Sequence, residues 1–445
     1  MMKCYRNVRF LVVLATVLVL SRYCSALDVT GEWVGKISGP FDSQYTAQYA
    51  HVTLAAEGTK LSGAWGSFTV QGTLNGGKVE LTFLDAGGKT AGSLKGAVSG
   101  ETLTGDGSVT LARRPGGPAQ PPMDVTWSLT RPVKAPAAAK TYDYEPKVFY
   151  SIYSAAEPPA LHIFPGDTVN TRTMDTAGRD ANAVRHGTGG DANVGPFYVE
   201  GALPGDTLVV KFSKIRVNKP VGRQGSRFNQ HAVTQAYAVA AKYDANFNGN
   251  WKQEPEKGTA TLPATPGLPH LTIPLKPMLG CISVAPPGEE AYRGTDLGVF
   301  GGNLDYNDNV EGVTMYMPVF HPGALLGFGD AHGAMGDGEV VGTGLETSVD
   351  VTFTVDVIKG YQTSQVRAET KDYLVSFGVS GSVPESIQLA TTQLADWVKK
   401  DYKLTDSEIA LFFGDVLKYD ITELVDPHFD VVAKVPKSAV ALLNK

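Results

Sequence analysis

Alternating apolar and polar residues, divided by glycine turns, dominate the N-terminal part of the chain and constrain its fold most strongly. Turns such as Asn75-Gly76-Gly77 separate the runs. The runs cover His51–Ala55, Lys60–Trp65, Ser67–Leu74, Lys78–Leu84, Gly92–Val98 and Leu103–Leu111. Strands at such short intervals indicate an antiparallel meander that curls into a barrel or a sandwich. We therefore expect a small antiparallel β-domain at residues 27–131, with Trp33, Trp65 and Trp127 in its core.

The chain stays β-rich after a linker of proline and alanine at 132–144. Apolar alternation and β-branched residues predict further strands, divided by glycine and proline turns, in a core that extends over 145–380. These runs are Ala160–Thr171, Gly195–Phe212, Val313–Val319 and Glu346–Ile358. The sequence contains 50 glycines and 27 prolines, which fits many turns. We predict a mainly β protein.

Helical signals appear close to the C-terminus. Ser382 precedes Pro384 as a helix cap, and Thr405 with Glu408 has the spacing of a capping box. We expect residues 381–445 to form a smaller α/β part of the same unit.

Residues 1–26 have the pattern of a secretory signal. Lys3, Arg6 and Arg9 precede or flank the start of the apolar run Phe10–Leu20, and small residues follow at Cys24-Ser25-Ala26. We expect this segment to be removed and the mature protein to be exported, with no membrane partner. The formal net charge of −6 gives no electrostatic reason to bind nucleic acid.

The run from Phe328 to Glu339 carries the strongest functional signal. It places Asp330, His332, Asp337 and Glu339 within ten positions, spaced mainly by glycine and alanine. Residues two apart on an extended strand project to the same face. Small neighbours let a metal or a substrate approach the backbone. The spacing therefore predicts a site for metal binding or acid–base chemistry.

Several segments resemble signatures of the acetamidase/formamidase family, in the expected order. They are Gly195–Asp206, Pro277–Pro286, Gly301–Asp305, Gly329–Glu339, Gly344–Glu346 and Val435–Lys437. The resemblance covers roughly residues 145–437 and leaves the N-terminal domain and the signal outside. It implies a jelly-roll-like β-sandwich with a smaller α/β part. It also implies a metal-dependent amidohydrolase that cleaves short amides, such as formamide or acetamide, to ammonia and a carboxylate.

Residue types and spacing, together with the resemblance, suggest which residues hold the metal. Asp330 and His332 are the expected ligand pair, although a buried salt bridge would explain them as well. Asp175 matches an acidic position of the family and is the expected third ligand, unless it pairs with Arg172. Asp305 could bind or orient the metal, unless it is an ordinary turn residue after two glycines. Imidazole with carboxylates favours zinc, whereas a set of oxygens alone would suit calcium or magnesium.

Proton transfer and carbonyl polarisation need further groups. Glu339 is the expected general acid or base, and the competing hypothesis gives that role to Asp337. Backbone N–H groups at Gly280 and Gly302 could form an oxyanion hole. Glu200 is expected either to line the site or to form a structural ion pair.

A lone thiol at Cys281 favours packing over nucleophilic catalysis, because such a small buried side chain usually fills space.

The leading hypothesis is an exported metal-dependent amidase with a small-molecule amide substrate. One alternative is a hydrolase of a larger or cyclic amide, such as a lactam. Another is a non-enzymatic binding protein in which the metal only stabilises the fold. The sequence leaves the oligomeric state open, with a homo-oligomer among the options.

Overall fold

A computed structural model describes residues 28–40, 47–110, 121–187 and 189–443. The predicted signal at 1–26 lies outside these residues. The described chain is mainly β, as predicted, and comprises an N-terminal barrel, two large sheets and helices concentrated near the C-terminus.

The N-terminal strands close into an antiparallel barrel. They are β1 (Gly31–Ser38), β2 (Ala47–Glu57), β3 (Lys60–Trp65), β4 (Phe68–Asn75), β5 (Lys78–Leu84), β6 (Thr90–Ser99), β7 (Thr102–Val109) and β8 (Met123–Thr130). Each strand pairs with the next, and β1 also pairs with β8, which closes the barrel. Trp33, Trp65 and Trp127 are buried in its interior, as predicted.

The strand pattern missed β1 and β8, for different reasons. In β1 the interior position between Trp33 and Ile37 belongs to Gly35, and a β-carbon there would lie 2.6 Å from the ring of Trp65. Packing of the tryptophan thus removes an apolar residue from the alternation. In β8, Val125, Trp127 and Leu129 alternate clearly, so this strand was recognisable.

The remaining strands follow in chain order. They are β9 (Thr141–Asp143), β10 (Ile152–Tyr153), β11 (Leu161–Ile163), β12 (Thr168–Arg172), β13 (Asn193–Val199), β14 (Thr207–Val217), β15 (Val221–Arg223), β16 (Asn250–Glu254), β17 (Thr259–Thr261), β18 (Thr272–Pro274), β19 (Met278–Ser283), β20 (Tyr292–Arg293), β21 (Leu297–Gly298), β22 (Gly301–Asn303), β23 (Thr314–Pro318), β24 (Leu326–His332), β25 (Glu346–Thr347), β26 (Val349–Ile358), β27 (Arg367–Glu369), β28 (Tyr373–Ser380), β29 (Lys418–Glu423) and β30 (Phe429–Pro436).

Most of these strands form two sheets that pack as a sandwich, as predicted. The 11-stranded sheet runs β18-β17-β16-β15-β25-β24-β19-β22-β21, with β13 also on β24 and β11 on β13. The 9-stranded sheet runs β29-β30-β28-β27-β23-β14-β26-β12-β9. Phe328 of the first sheet packs edge-on against Phe212 and Phe353 of the second, with ring centroids 5.4 and 5.2 Å apart. Apolar side chains from both sheets fill the space between them.

The helices are short except for one pair near the C-terminus. They are α1 (Gln235–Ala240), α2 (Val383–Tyr402), α3 (Asp406–Val416) and α4 (Lys437–Val440). Ser382 caps α2, and the Thr405–Glu408 capping box begins α3, so both predicted helix starts are confirmed. In the described part of the chain, no helix combines the length and apolarity needed to cross a membrane.

A buried acid of the two-sheet unit contacts the barrel. His51 Nε2 lies 2.7 Å from Asp206 Oδ2. The same carboxylate accepts the backbone N–H groups of Leu203 and Gly360, at 2.9 and 2.8 Å. Asp206 therefore ties the barrel to two loops of the sandwich.

Helix α2 packs directly on the backbone of β28, and this contact yields a prediction about stability. A β-carbon at Gly378 would lie 2.0 Å from the carbonyl oxygen of Ser386 in α2. Gly378→Ala should therefore lower the free energy of unfolding by roughly 1–3 kcal/mol, the usual cost of overpacking. Urea unfolding measures it. The matched control is Gly381→Ala, where a β-carbon meets no atom within 4 Å. Equal stabilities for the two variants would contradict this packing.

Candidate active site

Strand β24 delivers the first two polar side chains of the site. Leu326 and Phe328, two positions apart, both point into the sandwich core. Ala331 also points into the core although it lies three positions after Phe328, so the alternation of inward and outward side chains shifts by one residue between Phe328 and Ala331. The change occurs at Asp330, whose φ is +44°. As a result Asp330 and His332 leave the core face together, and His332 Nε2 lies 3.4 Å from Asp330 Oδ2.

Strand β25 adds a glutamate beside the histidine. Glu346 is the register partner of His332 across the β24–β25 pair, and opposite residues of an antiparallel pair share a face. Glu346 Oε1 lies 3.1 Å from His332 Nε2. Neither ring nitrogen has a partner in hydrogen-bonding geometry, so this short contact is not a well-directed N–H bond.

Further acids approach from other parts of the chain. Asp305 follows β22, and its Oδ1 lies 3.7 Å from His332 Nδ1. Glu339 ends a short irregular turn at Asp337–Glu339, in which Gly338 has a φ of +78°, and Glu339 Oε1 lies 4.0 Å from His332 Nε2. Glu423 ends β29, Asp426 follows it, and Asp191 precedes β13. The acidic cluster, as we name it, consists of Asp191, Asp305, Asp330, Glu339, Glu346, Glu423 and Asp426 around His332.

Three groups within this cluster have the spacing of metal ligands. In each, the ligand atoms lie within 4.8 Å of one another. The groups are Asp305-His332-Glu339, Asp330-His332-Glu346 and Asp305-Glu423-Asp426. Two of them share the imidazole of His332, and the third offers only oxygen.

Two glycines leave the space that the cluster occupies. A β-carbon at Gly280 would lie 2.4 Å from Asp305 Oδ1 and 2.5 Å from Asp330 Oδ2. A β-carbon at Gly344 would lie 2.4 Å from the ring of His332. The oxyanion role of Gly280 stays a prediction. The structure provides another explanation for a glycine at this position: a larger residue would collide with two carboxylates of the cluster.

The cluster also concentrates unusual backbone conformations. Among the described residues other than glycine, eight have a positive φ, and four of these are cluster acids, namely Asp191, Asp305, Asp330 and Glu339. The left-handed conformation costs an L-residue roughly 1–2 kcal/mol. Strain of this kind collects at functional sites, where the surrounding structure enforces it.

Burial makes the charged form of these acids unfavourable. It raises the pKa of Glu339 to about 10, reinforced by Glu423 and opposed by His332. It raises the pKa of Asp191 to about 8 and that of Asp426 to about 7. Burial opposes protonation of His332, but Glu346 and Asp330 outweigh it and raise its pKa well above the usual value. One imidazolium cannot neutralise seven carboxylates, so the cluster needs either protons or a cation.

The unsatisfied atoms of the cluster fit a cation. Both oxygens of Asp305, Oδ1 of Asp330, Oε2 of Glu346 and both ring nitrogens of His332 are buried without a hydrogen-bond partner. Buried polar atoms normally have partners, and carboxylates cannot supply donors to one another unless protonated. A divalent metal would satisfy several of these atoms at once.

The structure does not bring Asp175 into the cluster. Its carboxylate pairs with the ammonium of Lys219 and accepts the backbone N–H of Arg179 at 2.9 Å. The alternative pairing with Arg172 is wrong as well, because Arg172 lies 3.0 Å from Glu145. The carboxylate next to His332 is Glu346, which the sequence interpretation gave no role.

Asp337 and Glu339 lie at the two ends of one short turn. Asp337 is exposed and accepts a hydrogen bond from Asn307 Nδ2 at 2.7 Å. Glu339 is only 7% exposed and lies in the cluster. The turn thus brings one of the two competing acids to the histidine and leaves the other at the surface.

Gly302 and Glu200 have structural surroundings. Gly302 pairs with strands on both sides at a φ of +102°, and a β-carbon there would lie 2.3 Å from the carbonyl oxygen of Asp296. Glu200 Oε1 lies 2.7 Å from His162 Nδ1. Of the two predicted roles for Glu200, the ion pair is the one observed.

Cys281 is buried beside the cluster. Tyr153 donates to its sulfur at 3.1 Å, and the thiol lies 2.9 Å from Asn303 Oδ1. Burial raises the pKa of the thiol well above its usual value, and the charge of Asp330 adds to the effect. A nucleophilic thiolate is therefore disfavoured, and the packing interpretation fits.

Sequence reasoning missed Glu346, Glu423, Asp426 and Asp191. Glu346 carried a weak signal, since it follows Gly344 and Leu345 at the start of an apolar strand. Glu423 and Asp426 are far along the chain, in the part predicted as a smaller α/β layer at residues 381–445. Their approach to Asp305 depends on how β29 is placed against the first sheet.

The electrostatics predict how stability depends on pH. Without metal, the folded cluster retains protons that the unfolded chain loses near pH 4, so the free energy of unfolding should fall as pH rises. Between pH 5.5 and 8 the loss should be about 3 kcal/mol for each proton retained across the interval. Urea unfolding of chelated protein at both pH values measures it. Added zinc should restore stability mainly at pH 8, and a chelated protein that is more stable at pH 8 would contradict the argument.

Comparison with known proteins shows which family part of this chain resembles. Residues 288–380 match the profile of the Acetamidase/Formamidase family. A Schizosaccharomyces pombe protein that provisionally bears the name formamidase is 25% identical over 211 residues, which span 37% of this chain and 51% of that protein. The match therefore spans about half the length of this curated relative.

Solved structures extend the similarity over most of the two-sheet unit. An acetamidase/formamidase, predicted as such, from Thermoanaerobacter tengcongensis has 26% identity and a TM-score of 0.59, over 69% of this chain and 99% of that one. An acetamidase from Bacillus halodurans has 25% identity and a TM-score of 0.59, over 68% and 100%. The family signatures predicted from sequence agree with both comparisons. Over residues 288–380 the chain therefore resembles the acetamidase/formamidase family, and an eight-stranded barrel precedes its two-sheet unit.

Proposed function

We propose that this chain hydrolyses the C–N bond of small amides and releases ammonia, with a divalent metal held by the acidic cluster. Similarity to the Acetamidase/Formamidase family over residues 288–380 and to solved acetamidases supports the amide hydrolase. The observation that carries the metal is the set of buried, partnerless atoms on His332, Asp305, Asp330 and Glu346.

The donor set favours particular metals. His332 with Asp330 and Glu346 combines imidazole and carboxylates, which suits zinc. The all-oxygen group of Asp305, Glu423 and Asp426 would suit calcium or magnesium. When bound, such an ion acts as a Lewis acid and lowers the pKa of water, to about 7 for zinc.

Glu339 is the residue proposed to move the protons. Hydrolysis forms a C–O bond from water and breaks the C–N bond, so one proton must leave the water and another must reach the departing nitrogen. Glu339 is buried within 4.0 Å of His332, and burial raises its pKa, so its carboxyl can both accept and return a proton. Cys281 takes no part in this mechanism.

Cavities beside the cluster have the size of a small-molecule site. One of about 400 Å³ and another of about 290 Å³ both reach Glu346. These volumes suit a short amide. A cyclic amide remains the alternative substrate, and a binding protein with a structural metal remains the alternative to an enzyme.

The first test is ammonia release by the purified mature protein. We expect turnover of formamide, acetamide or propionamide, loss of turnover on chelation, and recovery with zinc. Including a γ-lactam, assayed by ring opening, distinguishes the cyclic substrate. Metal-loaded, folded protein that acts on none of these amides would reject the proposed activity and favour the binding protein.

A second test separates Glu339 from Asp337. Glu339→Gln should lower kcat by about 100-fold or more, the usual contribution of acid–base catalysis, while the metal stays bound. Asp337→Asn is the matched control, since this exposed acid lies outside the cluster. Turnover and metal content are measured together. Loss of metal from Glu339→Gln would make Glu339 a ligand instead, and full turnover would reject both roles.

A further inference from the structure

One row of polar side chains crosses the 11-stranded sheet at the candidate active site. Arg223 of β15 is the register partner of Glu346 in β25, and Glu346 is the register partner of His332 in β24. Register partners of antiparallel strands project to the same face. Arg223 therefore stands next to Glu346, on the side away from the histidine.

The two cavities at Glu346 follow this row. Both are lined by Thr176, Arg223 and Glu346. Glu346 is 7% exposed and His332 is fully buried, so Glu346 is where these cavities meet the cluster. A substrate in either cavity would therefore lie beside both Arg223 and Glu346.

Arg223 and Glu346 do not form an ion pair with each other. Glu346 turns its carboxylate toward His332, at 3.1 Å. Lys219, which also lines the larger cavity, is occupied by Asp175. Arg223 is exposed, and no carboxylate within the described part of the chain lies within ion-pair distance of its guanidinium. A guanidinium with free N–H donors therefore lies beside the acidic cluster.

An anionic group on the substrate would explain this cation. Neighbouring strands lie about 4.8 Å apart, so the backbones at His332 and Arg223 are separated by roughly 10 Å. The arginine side chain spans part of that distance and leaves room for a short chain. Its planar guanidinium can hold a carboxylate with two parallel hydrogen bonds.

We infer that Arg223 binds the carboxylate of the substrate, and that the preferred substrates are amides whose acyl chain ends in a carboxylate, such as malonamate or succinamate. The inference rests on the proposed amide hydrolysis. Arg223 is then a specificity-determining residue: it positions the far end of the molecule while the amide lies at His332 and Glu346. A neutral amide of equal length would gain nothing from it.

The experiment compares succinamate with butyramide, in which a methyl group replaces the carboxylate. The zinc-loaded full protein should have a higher kcat/KM for succinamate by about tenfold or more, the effect of one hydrogen-bonded charge pair. Arg223→Gln should abolish most of that ratio and retain its metal. The charge-matched control is Arg216→Gln, which removes an arginine paired with Glu311 on the other sheet and should preserve the ratio.

Other outcomes distinguish this inference from the proposed function. Hydrolysis of butyramide without a preference for succinamate would overturn the inference and keep the amidase. An equal loss for both amides in Arg223→Gln would overturn it too, since Arg223 would then act through Glu346. If neither amide is hydrolysed, the amidase fails, and calorimetric titration with succinamate decides the site. Binding that weakens about tenfold or more in Arg223→Gln would support the carboxylate site, and no binding to the wild type would reject it.

Discussion

The free-energy cost of holding seven carboxylates, five of them buried and two half-buried, around one histidine governs the functional half of this protein. A buried carboxylate without a partner is among the most unfavourable groups in a protein interior. Here the pKa values of Glu339, Asp191 and Asp426 rise because burial penalises their charge. The fold nevertheless holds these groups together, in left-handed backbone conformations and over the missing side chain of Gly280. The proposed divalent cation would offset these costs and would also satisfy the partnerless atoms.

The tertiary structure assembles the cluster from elements that have little else in common. Strands β24 and β25 provide the histidine and its neighbouring acids. The short turn at Asp337–Glu339 places Glu339 in the cluster and leaves Asp337 at the surface. The C-terminal part is more than a covering layer, because Glu423 and Asp426 come from the end of β29 and its following loop. The barrel is different: its His51 pairs with Asp206 of the unit, but none of the described barrel residues belongs to the cluster or lines the cavities at Glu346.

Sequence patterns identified some residues of the site correctly but wrongly placed Asp175 among them. Asp330 and His332 were recognisable because they sit two apart on a nearly bare backbone. Asp175 was expected beside them, but Lys219 holds it outside, a partner 44 residues away that no local pattern reveals. Glu346 takes the neighbouring position through strand pairing. Register between strands depends on the whole sheet, so a motif search cannot supply it.

Local patterns determined what depends on local chemistry: the alternation of the barrel strands, the caps at Ser382 and Thr405, and the glycine-spaced acids of β24. These follow from the sequence because side-chain period and capping hydrogen bonds involve residues a few positions apart. Only the tertiary structure decided which acids meet. The phase change at Asp330, the row from Arg223 to His332, and the arrival of Glu423 arise from contacts across strands and between sheets, where burial selects the partners.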